Sequence, residues 1–301
     1  MNFIIYIVAY PLLWLLSILP FPIFYFVSDC LFVLVFHLIR YRRKTVQDNL
    51  RLTLPHLSDL ERKNIERKFY HYMCDMFLEM VKTLTISEEE MSKRYVFTNI
   101  ELIHELEKTN KSIILFCAHY ASWEWIIILG KYIDYKGFGI YKKIQNPYFD
   151  KLIHDIRSRF NAELIDTSHT IKTVLSNESK GIKGVYAFVS DQSPMVEDAN
   201  FWTDFMNMEV PVHTGGEALA KKLDMHALYL KVERKARGQY EATFVSLADE
   251  VKSVPNYEIT ERFIREVEKQ IYEAPEYYFW THKRWKHRDK NPKKLLKTEE
   301  L

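Results

Sequence analysis

The sequence predicts an α/β protein: a twisted, mixed sheet with helices on both faces, preceded by an N-terminal hydrophobic membrane helix. Three observations lead there. From Val96 onward, short apolar runs alternate with amphipathic stretches, the pattern of a sheet crossed by helices. Ile113 to Phe116 is an unbroken run of β-branched and large residues, a strand buried on both faces. The first 39 residues hold a single charged side chain, Asp29.

In chain order, Phe3 to Leu19 is apolar apart from Ser17 and reaches the lower limit of a membrane span. Pro20 and Pro22 break it, and a second apolar run follows from Ile23 to Ile39. That run carries Ser28, Asp29 and His37, which suits the membrane interface as well as a crossing. Neither a basic leader nor a small-residue cleavage site is present, as a signal peptide would require. Arg40, Arg42, Arg43 and Lys44 follow at once and predict that the rest of the chain is cytoplasmic, close to anionic head groups. From Thr45 to about Lys93, apolar residues from Leu60 to Met80 recur every three or four positions, and Ser58 with Glu61 forms a capping-box signature. Strands are expected at Ile113–Phe116, Phe138–Tyr141, Gly184–Val189, His226–Val232 and Tyr240–Val245. Helices are expected at Ile100–Lys108, Trp123–Leu129, Pro147–Phe160, Thr214–Lys222 and Tyr257–Tyr272. The expected organisation is an anchor over 1–43, a helical segment over 44–95, an α/β domain over 96–288 and a charged tail over 289–301.

Composition removes several function classes. A net charge of +2 on 301 residues gives no electrostatic footprint for nucleic acid. Eight glycines, with no Gly-rich phosphate loop, argue against a nucleotide fold that depends on close backbone approach. There is no G-x-S-x-G elbow and no H-E-x-x-H. Cys30, Cys74 and Cys117 are too widely spaced for a disulfide framework or a metal site, and His282 and His287 lack ligands at metal spacing. No metal and no cofactor is expected. Aromatic content of 15% suits an apolar cavity, a membrane interface or a plain aromatic core.

Chemistry gathers where strands end. His119 and Glu124 fall between the strand Ile113–Phe116 and the helix Trp123–Leu129, the carboxyl-end position where open α/β sheets hold their ligands. Five residues along one helix would set the two side chains about 140° apart. They converge more easily if His119 lies in the turn and Glu124 in the first helical turn. A histidine beside a carboxylate can take a proton from a weak oxygen nucleophile near neutral pH. Three further clusters sit at strand ends or in the C-terminal part. Tyr141, Lys142 and Asn146, followed by Arg157 and Arg159, offer cations for phosphate or an oxyanion. Asp191 and Gln192 follow the strand Gly184–Val189. Trp280 to Arg288, including His282 and Arg284, interleaves cations with tryptophan and suits an anionic membrane surface.

Taken in order, these residues resemble the lipid A late acyltransferase family, the lauroyl and myristoyl transferases of Gram-negative bacteria. The family's His-x4-Asp/Glu motif matches His119 and Glu124. Its Tyr-Arg-x-x-x-Asn-Pro segment looks like Tyr141, Lys142, Asn146 and Pro147, with lysine in place of arginine, and its Arg-x-Arg resembles Arg157 and Arg159. The Asp-x-x-x-Gly-Pro stretch matches loosely at Asp191, Gln192 and Pro194, and a Thr-x-Gly helix start resembles Thr214 and Gly216. The terminal Ala-Pro-Glu-x-Tyr-x-Trp-x-His-Arg-Arg-Phe-Lys pattern is similar to Ala274 through Lys286. Two departures touch specificity. Phe205-Met206-Asn207 replaces aromatic-Phe-Gly, and lysine at 142 loses the bidentate geometry of arginine.

The resemblance implies a glycerolipid-acyltransferase-like fold and transfer of a fatty acyl chain from acyl carrier protein to a hydroxyl of a lipid A precursor. The location it implies is the cytoplasmic face of the inner membrane. His119 would be the base and Glu124 its orienting carboxylate. Tyr141, Lys142, Asn146, Arg157, Arg159, Asp191, Gln192, His282 and Arg284 would bind substrate, with the Trp280–Arg288 cluster gripping the membrane or the acidic carrier. The alternatives are an acyltransferase acting on a glycerolipid, aminolipid or glycolipid with acyl-CoA or acyl carrier protein, a thioesterase, and a non-catalytic membrane lipid-binding protein.

Overall fold

The computed structural model describes residues 2–292. Most of the expected charged tail, from 293 on, lies outside them. Two apolar helices come first: α1 (Asn2–Ile18) and α2 (Phe21–Val33), the latter continuing as a π-helical turn over Leu34–Ile39. Pro20 and Pro22 separate them as expected: Pro22 sits in the first turn of α2, where its missing N–H leaves no helical bond unmade. Next come α3 (Arg43–Thr53), α4 (Asp59–Lys82) and α5 (Glu88–Arg94). The start of α4 is the predicted capping box: the Glu61 N–H bonds to Ser58 Oγ, and the Glu61 carboxylate accepts from the Ser58 N–H at 2.7 Å.

The sheet begins with β1 (Tyr95–Phe97). After α6 (Glu101–Glu107) come β2 (Ile113–Cys117), β3 (Lys136–Tyr141), α7 (Pro147–Arg157), β4 (Ala162–Asp166), α8 (Thr170–Ser179) and β5 (Gly184–Val189). A separate hairpin follows, β6 (Phe201–Asp204) with β7 (Glu209–Val212). Then come α9 (Gly215–Leu223), β8 (His226–Ala236), β9 (Gln239–Ala248) and α10 (Glu258–Glu273). The seven-stranded sheet runs β1-β9-β8-β2-β5-β3-β4. Strands β8, β2, β5, β3 and β4 are parallel, whereas β9 runs antiparallel to β8 and pairs parallel with β1, so the sheet is mixed.

Strand β2 sits at the centre of the sheet, and all five of its residues are buried. Burying a Leu, Ile or Phe side chain contributes about 1.5–3 kcal/mol, so this strand is a main source of core stability. The stretch expected as a buried helix, Trp123–Leu129, forms a 3₁₀ helix over Trp125–Lys131 instead. Gly130 lies inside it, where a side chain would overlap the carbonyl oxygen of Phe160.

Candidate active site

Parallel pairing brings the site together. Strands β2 and β5 are adjacent and in register down to Cys117 beside Val189, and the Ser190 N–H donates to the Cys117 carbonyl at 3.1 Å. Two residues beyond that pair, the chains carry His119 and Asp191. The carboxyl ends of two neighbouring parallel strands therefore deliver an imidazole and a carboxylate to one place. His119 Nδ1–H donates to Asp191 Oδ1 at 2.7 Å, and the His119 backbone N–H donates to the same oxygen at 3.0 Å. Gln192 Nε2 donates to His119 Nε2 at 3.2 Å. That pattern fixes the tautomer: Nδ1 carries the proton and Nε2 presents its lone pair. The His119 side chain is 21% exposed and Asp191 only 1%, so a substrate can reach the ring but not the carboxylate behind it.

Burial pulls the Asp191 carboxyl upward, but the His119 imidazole, its two N–H bonds and the Arg284 charge outweigh burial and hold it below the ordinary carboxylate range. The carboxylate therefore stays ionised near neutral pH. Cys117, at the end of β2, goes the other way: burial pushes its thiol far up, which leaves it a packing residue and not a nucleophile.

The turn bearing His119 is held from the other end of the chain. Phe279 N–H donates to the His119 carbonyl at 3.1 Å, and Ala121 N–H donates to the Tyr277 carbonyl at 3.0 Å. Tyr120 and Tyr278 form an isolated β-bridge. Ala121 itself adopts φ +46, a conformation costly for a residue with a Cβ, and the Tyr72 hydroxyl caps its carbonyl. Trp123 meets the imidazole edge-on at 5.1 Å, and Phe279 lies nearly parallel to it at 6.1 Å.

Glu124 does not orient His119 in this arrangement. Its carboxylate is gripped by Arg157, with Nε to Oε2 at 2.8 Å and Nη2 on Oε1, and Trp123 Nε1 adds a bond at 3.2 Å. The expected His119–Glu124 contact is replaced because Asp191, delivered by the neighbouring strand, occupies Nδ1. For the same reason Arg157 is not a free cation: burial lowers its basicity, and the Glu124 charge more than restores it. Arg159 also turns away from this cluster, to the Thr83 carbonyl at the end of α4 and the Phe160 ring at 5.1 Å. Tyr141 ends β3 within electrostatic reach of Arg157, Lys142 beyond it is exposed, and Asn146 caps α7 through its bond from Tyr148 N–H at 3.1 Å.

The Trp280–Arg288 segment is not the surface patch that its sequence suggests. Trp280 and Trp285 are buried and stack at 5.9 Å, Trp285 stacks in turn on Phe205 at 5.5 Å, and Trp285 Nε1 donates to the Phe205 carbonyl at 3.1 Å. Arg284 is 0% exposed and lies over the Phe205 ring at 5.1 Å. None of its three guanidinium nitrogens has a hydrogen-bond partner among the described residues, nor has Asp191 Oδ2. Burial lowers the Arg284 basicity, with Tyr278 and Asp191 opposing it. His282 is pushed down to about 4 by burial and faces the same group electrostatically. Only Lys283, Lys286 and Arg288 of this segment reach the surface as exposed cations; with Arg51 of α3 they line a cleft of about 590 Å³. His213, which the sequence reading did not single out, lies within electrostatic reach of Asp191 and Arg284, and burial lowers its basicity.

A strand-end histidine backed by a buried carboxylate is shared by many hydrolases and transferases, and sequence comparison separates them. The profile of the bacterial lipid A biosynthesis acyltransferases matches residues 1–287. The chain belongs to that family. It is 25% identical over 281 residues to the lipid A biosynthesis lauroyltransferase of Escherichia coli K12, covering 92% of this chain and 89% of that protein. Similarity to the Escherichia coli lipid A biosynthesis myristoyltransferase is 22% identity over 242 residues, 79% of this chain and 73% of that protein. With the Escherichia coli palmitoleoyltransferase of the same pathway, identity is 21% over 280 residues, 92% of this chain and 89% of that protein. These three relatives carry different acyl chains in their names, so the family likeness does not fix chain length here.

Proposed function

We propose that this chain is a membrane-bound O-acyltransferase that moves a fatty acyl group from the thioester of acyl carrier protein to a hydroxyl of a lipid A precursor, at the cytoplasmic face of the inner membrane. The observation that carries the reading is His119 Nε2. It is an unprotonated nitrogen on a partly exposed ring that a buried carboxylate locks in place, in a chain of the lipid A acyltransferase family.

In this reading Nε2 takes the proton of the acceptor hydroxyl as its oxygen attacks the thioester carbon. Asp191 stabilises the imidazolium that forms. The C–O bond forms, the tetrahedral oxyanion collapses, and the C–S bond breaks. The proton on Nε2 then passes to the departing thiolate. No acyl-enzyme is needed. Gln192, already bonded to Nε2, yields that nitrogen to the hydroxyl and becomes an amide donor for the oxyanion. Arg284 is a positioning residue whose charge adds to that of His119 in holding Asp191 ionised. The Glu124–Arg157 pair shapes the wall of the site beside Trp123, and the exposed Lys142 is the candidate contact for a lipid phosphate. The basic cleft of Arg51, Lys283, Lys286 and Arg288 suits the acidic surface of the carrier.

Mass spectrometry of lipid A from cells with and without the protein tests this. The expected result is loss of one acyl chain, restored by wild type and not by His119→Ala. Unchanged lipid A with a changed glycerolipid or aminolipid would move the acceptor to that class. No lipid change would remove the catalytic reading.

A further inference from the structure

The two N-terminal helices are fastened to the globular body, α1 near its two ends and α2 along its inner face. The end of α1 and the turn after it are held by the last residue of α4 and the turn beyond: Lys82 Nζ donates to the carbonyls of Ser17 at 2.7 Å and Leu19 at 2.6 Å, and Thr85 Oγ1 to that of Ser17 at 2.6 Å. Its beginning rests on α7, where Tyr6 stacks on Tyr148 at 5.6 Å and meets Phe149 edge-on.

The second helix is held more tightly. Tyr25 Oη donates to Glu79 at 2.9 Å and Ser28 Oγ to Asp75 at 2.7 Å, both on α4. Asp29, the one charge in the first 39 residues, is 46% exposed at its side chain yet bonds to the body, accepting from Arg237 of the β8–β9 turn at 2.6 Å and from His71 at 2.8 Å. Farther along, Phe36 packs on Tyr70.

The outward faces are almost wholly apolar. On α2 and the turn that continues it, Ile23, Phe26, Cys30, Val33 and His37 form one exposed stripe at three- and four-residue spacings, with Leu34, Leu38 and Ile39 exposed beside it and His37 its one polar ring. On α1, Val8 and Leu12 are among the most exposed residues. Just past the stripe stand the exposed cations Arg40, Arg42, Lys44 and Arg67. Uncovered apolar helix faces bordered by cations match the charge and polarity of an anionic lipid leaflet.

By length, the helical run Phe21–Ile39 could cross, since 19 residues span about 28 Å. A crossing would have to peel it off Glu79, Asp75, His71 and Arg237 and carry Asp29 into hydrocarbon. We propose that α1 and α2 do not cross the bilayer. They form a hairpin lying in one leaflet, with the Leu19–Pro20 turn on the same side of the membrane as the body. This rests on the membrane location proposed above and adds a topology to it.

The full chain is made in cells with Cys30→Ser and one reporter: Phe3→Cys at the start of α1, Leu19→Cys at the turn or Asp249→Cys on the body; Cys74 and Cys117 are buried. A membrane-impermeant maleimide is applied to spheroplasts and to inverted inner-membrane vesicles. Leu19→Cys and Asp249→Cys are expected to label in inverted vesicles, and none of the three in spheroplasts; Phe3→Cys labelling in spheroplasts overturns the hairpin by showing that α1 crosses. Leu19→Cys labelling in spheroplasts, or failing to label in inverted vesicles while Asp249→Cys labels, overturns the in-leaflet hairpin and leaves the transferase reading untouched. A chain that does not sediment with membranes overturns the lipid surface as occupant. If that chain is an oligomer broken by Leu38→Glu, the occupant is a second copy.

Discussion

The test that bears most directly on the chemistry is replacement of Asp191 by asparagine. Asp191 Oδ1 accepts both the ring and the backbone N–H of His119, at 2.7 and 3.0 Å, from a position only 1% exposed. Asparagine keeps the shape and one acceptor oxygen but removes the charge that balances the imidazolium. Breaking a buried charge pair by neutralising one partner costs about 3–5 kcal/mol, which as lost transition-state stabilisation is about 10²- to 10⁴-fold in kcat. The assay is transfer from acyl carrier protein thioester to a purified lipid A precursor, with circular dichroism confirming the fold. The substitution also has a pH signature. Because the native Asp191 carboxyl lies below its unfolded value, the stability it gives is present above the ordinary aspartate range near pH 4 and is lost as pH falls through the native value. Asp191→Asn should therefore flatten the acid limb of the unfolding curve. A folded Asp191→Asn enzyme with kcat within about threefold of wild type would refute Asp191 as the partner of the base.

Three other predictions concern the frame around the site. Burial raises the Glu79 carboxyl to about 7, so it costs the folded state about 3 kcal/mol progressively as pH rises from about 4.5 to 7. Glu79→Gln, which keeps an acceptor for the Tyr25 and Tyr240 hydroxyls, should raise the Tm more at pH 8 than at pH 5, read by differential scanning fluorimetry. Gly130→Ala forces a Cβ onto the Phe160 carbonyl and should lower stability by about 2–3 kcal/mol in urea unfolding. Arg284→Met removes a buried guanidinium that has no hydrogen-bond partner among the described residues. It should leave the Tm unchanged or higher yet lower kcat at least tenfold, by about 1.4 kcal/mol or more, with the loss growing toward acid pH. Unchanged kcat would limit Arg284 to packing.

Much of the architecture was readable because it is written in local pattern. Gly184–Val189 is a strand with the bounds its apolar run predicts, and the Ser58–Glu61 box opens α4 where it should. What escaped lacked such a signal. Strand β4 is a half-exposed edge strand, so its run from Ala162 to Asp166 carries no continuous apolar stretch. The β6–β7 hairpin turns at Met206 and Asn207, both at positive φ, with no glycine to announce it; Asn207 supplies there what a glycine would. The partner of His119 escaped for a different reason. A carboxylate five residues away is visible along the chain, whereas Asp191 becomes a neighbour only once β5 pairs beside β2. The C-terminal cluster misled because alternating cations and tryptophans read as a surface, and only the stacking of Trp280, Trp285 and Phe205 reveals that half of it is core.

The hold that Tyr277 and Phe279 keep on the His119 turn has a bearing on synthesis. Both strands that deliver the base and its carboxylate leave the ribosome well before the segment that clamps them. Until Tyr277 to Trp285 has folded back, the turn at Ala121 lacks the bonds that offset its unfavourable backbone angle. A nascent chain or one truncated upstream of Tyr277 would carry His119 and Asp191 without a fixed ring between them. Such fragments should be inactive, because the segment that clamps the His119 turn is made after both strands that carry the site.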